Sequence, residues 1–459
     1  MSDTLMISVS GMRGHVGTDL TPELVARHAA AMGAWVLSTA AAAGGRPAVV
    51  LGRDARTSGP MFAHAAAAGL MSVGVDVVDL GVVPTPTVQL AVEHHHAGAG
   101  LILTASHNPI EWNALKFVGP DGIFLDAAAG ERVRALAEAG PPRARWDGIG
   151  ELRGDPEAVA RHLDANLRLP AIDVPAIRSR GFHVALDCVR GAGAVAMLPL
   201  LERLGCRVSG INLEADGRFP RAPEPVPENL GELGRLVRES GADLGFAVDP
   251  DVDRLAIVDG TGRPIGEDYT LAFAVRAVLD GRSKPDQTPT VVVNLSTSLV
   301  VEDAARAVGA TVLRAPVGEA NVARAIREHG AVIGGEGNGG VMYPALHIGR
   351  DAPLGVALIL HLLATSGVTV AGLVEGSPRY TIVKAKGPRT SHLGPLYGRL
   401  RRRFADAAVD DRDGLRLAWA DRWLHIRPSG TEPIVRLIAE APTPSDAEAL
   451  VAAGRELLQ

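Results

Sequence analysis

Leu244-Gly245-Phe246-Ala247-Val248-Asp249-Pro250-Asp251-Val252-Asp253-Arg254-Leu255-Ala256-Ile257-Val258-Asp259 joins two short apolar runs through an acidic loop. Each run is too short for a helix and rich in strand-forming residues, so Leu244–Asp249 and Leu255–Asp259 read as strands. Three carboxylates at alternate positions of extended chain project to one side. There they repel one another unless a cation neutralises them. Mg²⁺ takes about six oxygen ligands near 2.1 Å and leaves room for water and a phosphate oxygen. The other reading is an exposed acidic loop, and the apolar strands on both sides count against it.

The same alternation of short strands and Ala-rich amphipathic helices continues in both directions. Upstream in the same unit lie Phe182–Asp187 and Arg207–Leu213. An earlier unit offers Ala48–Gly52, Val75–Leu80 and Leu101–Ser106. A later one offers Thr290–Leu295, Thr311–Ala315 and Ala331–Gly335. This rhythm predicts α/β domains with largely parallel sheets. After about residue 369 the pattern changes to Tyr380–Lys386, Leu415–Ala420, Trp423–Arg427 and Val435–Ala439, with a hairpin at Asp421–Arg422 and helices at Leu393–Ala407 and Ser445–Leu458. The expected fold class is therefore α/β, with three similar mixed α/β domains followed by an α+β domain with an antiparallel sheet. The divisions fall at residues 1–150, 151–258, 259–368 and 369–459, the first placed by the Pro- and Gly-rich stretch Gly140–Gly150.

At 459 residues the chain exceeds what one core supports. With 47% hydrophobic and 21% charged residues it is neither fibrous nor disordered. A net charge of −6 argues against a nucleic-acid or membrane surface, and five Trp, eight Phe and four Tyr leave few rings on which bases could stack. The helix expected at Glu23–Ala43 carries Arg27 and His28 and reads as buried scaffold rather than a membrane span. Met1–Gly11 has no secretion-signal pattern. Cys188 and Cys206 lack metal-ligand spacing and read as reduced core thiols of a cytoplasmic protein.

Three further loops carry chemistry, and ligands of open α/β sheets gather outside the carboxyl ends of strands. Leu103-Thr104-Ala105-Ser106-His107-Asn108-Pro109 offers a serine beside a histidine. No Gly-x-Ser-x-Gly elbow is present, so a hydrolase triad is disfavoured against a phosphoryl carrier or a plain turn. Lys116 lies in an otherwise apolar strand-like segment, where a snorkelling edge lysine is the ordinary alternative. Gly334-Gly335-Glu336-Gly337-Asn338-Gly339-Gly340 lets the backbone approach a ligand and offers Glu336 to adjacent sugar hydroxyls, while Arg350 beyond it reads equally as a surface ion pair. Arg427-Pro428-Ser429-Gly430-Thr431-Glu432-Pro433, with Arg436 beyond, has the donors of a phosphate cradle. A haloacid-dehalogenase phosphatase also carries Asp-x-Asp after a strand. That motif opens its domain, however, whereas Asp249 lies in mid-chain.

Taken together, Thr104-Ala105-Ser106-His107-Asn108-Pro109, Asp249–Arg254, the Glu336 loop and Arg427–Pro433, in this order, resemble the α-D-phosphohexomutase family, as do Ser10–Gly14 and Gly52–Arg56. The resemblance spans the chain and implies four domains around a central cleft, the fourth mobile. It implies that Ser106 carries a phosphoryl group and that Asp249, Asp251 and Asp253, with Ser106, hold one Mg²⁺ per chain. Phosphoserine then passes its group to a hexose phosphate through a bisphosphorylated intermediate, with hexose 1,6-bisphosphate as activator. Glu336 and Asn338 would bind the sugar, and Arg427, Ser429, Gly430 and Thr431 the distal phosphate. Arg13, His107, Lys116 and Arg254 would line the reacting end, with Lys116 transferring a proton. One departure is plain: Gly340 stands where many members have histidine, and His347 downstream is either its substitute or an ordinary strand-end residue. The loops point to glucosamine 6-phosphate and glucosamine 1-phosphate, with a phosphomannomutase/phosphoglucomutase as the alternative. A metal-dependent sugar-phosphate phosphatase and a non-catalytic sugar-phosphate-binding protein are readings of other classes. Monomer and homodimer are both compatible with the sequence.

Overall fold

A computed structural model describes residues 5–8, 11–39, 46–280, 288–388, 393–429 and 434–456. Gly430 and Thr431, and the last residues expected of the Glu23–Ala43 helix, lie outside the described residues. That helix runs over Pro22–Thr39 as far as it is described.

Four sheets follow one another along the chain. The first has seven strands, with Ala48–Arg53 between Ala99–Leu103 and Asp76–Val82 in a parallel centre, and Trp112–Val118 and Gly11–His15 added antiparallel. The second sets His183–Asp187 between Arg207–Ile211 and Leu244–Val248, all parallel, with Leu255–Asp259 antiparallel at the edge. The third repeats this plan with Thr290–Asn294, Thr311–Ala315 and Ile333–Glu336, closed by antiparallel Gly340–Met342. The fourth is wholly antiparallel, built from Thr381–Pro388, Ala408–Asp410, Leu415–Ala418, Trp423–Pro428 and Ile434–Ala441. The fold class is the expected one: the second and third sheets are parallel but for one edge strand, and the first joins parallel strands to an antiparallel half.

The strands depart from expectation at two places in the first domain's sheet that bear on its extent. Leu101–Ser106 stops at Leu103, because Ser106 adopts a left-handed φ of 50° that no strand accommodates. Leu152–Gly154, too short and polar to register as a strand, pairs with Asp76–Val82 and extends the first sheet past residue 150.

Burial divides the molecule differently from the sheets. Val184 and Phe246 of the second sheet and Val291 and Ile333 of the third belong to one continuous core, bridged by Leu358 and Leu363 of the helix Ala352–Ser366. Asp351 caps that helix, its carboxylate accepting from Leu354 N–H at 2.9 Å. The fourth domain keeps a separate core around Leu400, Leu417, Leu424 and Leu437. Its seam with the third domain is largely polar: Ser296 Oγ lies 2.8 Å from His425 Nδ1, and Leu299 N–H donates to Glu440 at 2.8 Å. Among the described residues no helix is long and apolar enough to cross a membrane. Neither cysteine is in a disulfide.

Candidate active site

The serine loop owes its shape to a residue fifty positions before Ser106, not to its own sequence alone: Arg56, fully buried, donates to the carbonyl oxygens of Ser106, Asn108, Pro109 and Trp112 at 2.6–3.0 Å. Its Nε pairs with Asp54, which also accepts from Thr104 Oγ1 at 2.7 Å, and Thr104 Oγ1 in turn accepts from Ser106 N–H at 2.8 Å. These contacts hold Ser106 in its left-handed conformation at the end of a central strand. The sequence reading gave Arg56 and Asp54 no role. Their signal was a charged pair at the end of a strand with a buried apolar centre.

Asp249 begins the acidic loop where its strand leaves the second sheet. Val252 in that loop has φ of 62°, strained for a β-branched residue. The three carboxylates are buried, and one oxygen of each lies within 4.8 Å of the others. Ser106 Oγ donates to Asp249 at 2.9 Å, joining the first and second domains at this point. Burial, then the charges of Asp253 and Asp251, push the Asp249 carboxyl well above the ordinary range. Burial works the same way on Asp251, but the Lys116 ammonium 2.8 Å away outweighs it and holds Asp251 below that range. Asp251 Oδ1 and Asp253 Oδ1 are buried without a hydrogen-bond partner. Three convergent carboxylates with two uncommitted oxygens fit a hard divalent cation.

Around this centre the structure gathers most of the residues singled out from the sequence. His107 Nδ1 is 3.3 Å from Ser106 Oγ. Burial, then Arg254 and Arg13, hold its imidazole well below the ordinary value, so it is neutral at pH 7. No carboxylate among the described residues bonds to His107, and a hydrolase triad is not assembled. Arg13 donates to Asn108 Oδ1 at 2.6 Å. Arg254 donates to Glu224 at 3.0 Å and stands farther from the acidic triplet, 4.0 Å from Asp249 and 3.9 Å from Asp253. Lys116 is no snorkelling residue: it lies on an interior strand with its ammonium turned to Asp251.

Main-chain bonds lock the acidic loop to the Glu336 loop. Leu255 N–H donates to Gly339 O at 3.1 Å and Ala352 N–H to Val252 O at 3.2 Å. Gly339 has φ of 88°, and a Cβ there would meet Leu255 O at 2.3 Å, so only glycine permits this approach. Glu336 accepts from Asn294 Nδ2 at 2.9 Å and Gly318 N–H at 3.0 Å. Asn338 turns its side-chain oxygen to Gly340 N–H at 3.3 Å.

Arg350 is a residue that the sequence left open between a cation beside the Glu336 loop and a surface ion pair. Far from a surface ion pair, it is buried, with Asp253 at 2.5 Å, Glu336 at 2.9 Å and Glu319 at 3.1 Å. Burial opposes its charge, yet these carboxylates raise its pKa well above the ordinary value. Its stem fills the space beside Gly340, where a Cβ would come within 2.3 Å of Arg350 Cδ. The missing side chain at 340 is thus a steric consequence of the arginine. His347 does not take over that place. Its Nε2 lies 3.0 Å from Asp351, which also meets His162 at 2.8 Å, in a cluster of its own.

Arg427 and buried Ser429 sit on the fourth domain. Arg427 Nε donates to Asp413 at 2.8 Å, and Asp413 also accepts from Val317 N–H at 3.1 Å, one residue before the Gly318 that bonds Glu336. Arg427 is therefore linked through the Asp413 carboxylate to the Val317–Gly318 segment that bonds Glu336.

Four family descriptions match in sequence order: phosphoglucomutase/phosphomannomutase α/β/α domains I, II and III at residues 5–143, 160–262 and 266–380, and the C-terminal domain at 399–457. A phosphoglucomutase/phosphomannomutase of Thermococcus kodakarensis is 36% identical over 98% of this chain and 97% of its own. A probable phosphoglucosamine mutase of Methanopyrus kandleri is 37% identical over 94% of this chain and 93% of its own. The crystal structure of a phosphoglucomutase/phosphomannomutase family protein from Burkholderia thailandensis superposes with a TM-score of 0.84 at 26% identity, covering 99% of this chain and 96% of that one.

Proposed function

The chain belongs to the phosphoglucomutase/phosphomannomutase family and is a phosphohexomutase, and on that premise we propose that it interconverts glucosamine 6-phosphate and glucosamine 1-phosphate through a phosphorylated Ser106. The observation that carries the mechanism is the Ser106 hydroxyl donating to Asp249 within a buried carboxylate triplet.

Phosphohexomutases depend on a metal ion. Mg²⁺ held by Asp249, Asp251, Asp253 and the Ser106 oxygens would neutralise phosphoryl charge and polarise phosphorus. Ser106, fixed by Arg56 and Thr104, holds its oxygen against Asp249 of the carboxylate triplet. In the first half-reaction a sugar hydroxyl oxygen bonds to phosphorus as the Oγ–P bond breaks, and the hydroxyl proton ends on Ser106 Oγ. In the second, Ser106 Oγ bonds to the phosphorus of the other phosphate as its bond to the sugar breaks, and the serine proton passes by way of Lys116 to the sugar oxygen set free. Arg13 and Arg254 bring positive charge to the reacting phosphoryl group, and neutral His107 bonds to its oxygens. Glu336 and Asn338 grip the sugar hydroxyls in both orientations, while Arg427, Ser429, Gly430 and Thr431 hold the distal phosphate.

The Ser429-Gly430-Thr431-Glu432-Pro433 loop and the Methanopyrus relative support glucosamine. The loop Asp249-Pro250-Asp251-Val252-Asp253 and the Thermococcus relative favour a second reading, a phosphomannomutase/phosphoglucomutase. We place the reaction in the cytoplasm, with hexose 1,6-bisphosphate as activator. Comparing kcat/KM for glucosamine, glucose and mannose phosphates with Mg²⁺ present tests the choice. A preference of tenfold or more for glucose or mannose phosphate, about 1.4 kcal/mol, would overturn the glucosamine reading. Steady release of inorganic phosphate would make the protein a phosphatase instead.

A further inference from the structure

A groove of about 660 Å³ runs along the outer side of the seam between the third and fourth domains. The edge strand Thr311–Ala315 and the helix Glu319–His329 form one wall, and Arg412 and Arg416 line the other. Arg416, on the strand Leu415–Ala418, is only 7% exposed, and its Nε has no hydrogen-bond partner. Among the described residues its guanidinium meets no carboxylate within ion-pair distance. Its Cζ lies over the Trp423 ring, 5.5 Å from the centroid.

Glu328, on the helix Glu319–His329, lines the groove, and the acids nearer Arg416 are already committed. Asp410 is bonded to Arg412 at 2.5–3.2 Å, and Glu302 to Arg306 at 2.6 Å and Arg314 at 2.7 Å. Glu440 accepts from Leu299 N–H at 2.8 Å and Trp423 Nε1 at 2.6 Å. Arg314 also lines the groove, so a second cation faces the first. Burial, then Arg314, lower the Arg416 pKa to about 9, which still leaves it charged at neutral pH. A buried, charged donor without an acceptor destabilises a fold, and guanidinium groups arranged in this way suit a tetrahedral oxyanion.

We propose that this groove is a second anion site, in which Arg416, flanked by Arg314 and Arg412, binds the phosphoryl group of a small phosphate-bearing molecule. Arg314 NH1 donates to Asn294 O at 3.0 Å and Thr297 O at 2.8 Å, and the Asn294 side chain holds Glu336. An anion shared by Arg416 and Arg314 therefore ties the fourth domain to the loop behind the sugar-binding carboxylate.

Crystals of the full chain soaked in tungstate should show an anomalous peak beside Arg416 Nε, and an empty groove overturns the proposal whether or not the Arg427 loop is filled. In solution, inorganic phosphate, hexose bisphosphate and ATP are each titrated against wild type and Arg416→Met, which keeps the stem over Trp423. The expected result is that the variant is at least as heat-stable as wild type without anion and retains its kcat and KM. It should also lose the groove-linked rise in Tm for whichever probe binds, its affinity falling on the order of tenfold or more. The probe that gives the largest Arg416-dependent rise identifies the source of the phosphate. A variant less stable than wild type without anion, yet with the full rise for all three probes, makes Arg416 a structural residue and ends the proposal.

Discussion

Replacing Gly340 by alanine adds one methyl group at a position whose backbone any residue adopts, so the effect is purely one of space. The new Cβ would stand 2.3 Å from Arg350 Cδ and 2.8 Å from Cγ. Relief to an ordinary carbon contact of about 3.5 Å requires a movement of about 1 Å. The arginine cannot yield freely, because Asp253, Glu336 and Glu319 hold its head at 2.5, 2.9 and 3.1 Å. Staying costs the ~1–3 kcal/mol of overpacking, and moving gives up part of the ~3–5 kcal/mol that a broken buried pair loses. We expect a loss of about 2–3 kcal/mol in urea unfolding. A misplacement of this size between the acidic and sugar loops should also lower kcat/KM roughly 10–100-fold. Gly231→Ala, where an added methyl meets nothing within 4 Å, is the control and should match or exceed wild-type stability. Gly340→Ala within about 0.5 kcal/mol of wild type, with unchanged turnover, would show that Arg350 neither fills that space nor joins the two loops.

Ser106→Ala should lower turnover on the order of 10⁴-fold or more while costing only about 1 kcal/mol of stability for the lost Asp249 bond, and mass spectrometry should find no phosphorylated loop; full activity in a clean preparation refutes the carrier role. Chelation should abolish activity and lower Tm, because the uncommitted oxygens of Asp251 and Asp253 lose their cation, and added Mg²⁺ should restore both with the same midpoint; insensitivity of both readouts counts against a metal at the triplet. His425 is buried, and burial, opposed by the carbonyl and carboxylate of Asp413 and helped by the charges of Arg427 and Arg416, leaves its pKa lowered to about 4. The unfolded chain therefore binds the extra proton first as pH falls, and stability should drop between about pH 6.5 and 4. His425→Gln should flatten that part of the urea-midpoint profile, and an equal slope in the variant assigns the drop to other groups.

Periodicity made the layered architecture legible, since strands buried on both faces and helices with one apolar stripe leave different signatures. The mixed sheets were harder to see. Gly11–His15 and Gly340–Met342 are short and glycine-bearing, and only pairing partners far along the chain make them strands. At the site, residues concentrated in loops were visible because serine, aspartate and lysine are out of place beside apolar runs. Arg56 and Arg350 were not, for their roles depend on carbonyls and carboxylates brought from other segments. The absent histidine at 340 looked like a gap in proton chemistry. In three dimensions that space belongs to an arginine stem.

The apolar core shared by the second and third domains has a consequence for how the molecule comes apart. Main-chain amides of Leu244–Val248 and Ile333–Glu336 open only when the helix Ala352–Ser366 leaves both sheets, so they belong to one cooperative unit in hydrogen exchange. The antiparallel sheet of the fourth domain, with its own core, can exchange independently. Four sheets thus give three folding blocks, and the carboxylate triplet and Glu336 share a block. Sub-global opening of the fourth domain leaves their spacing intact.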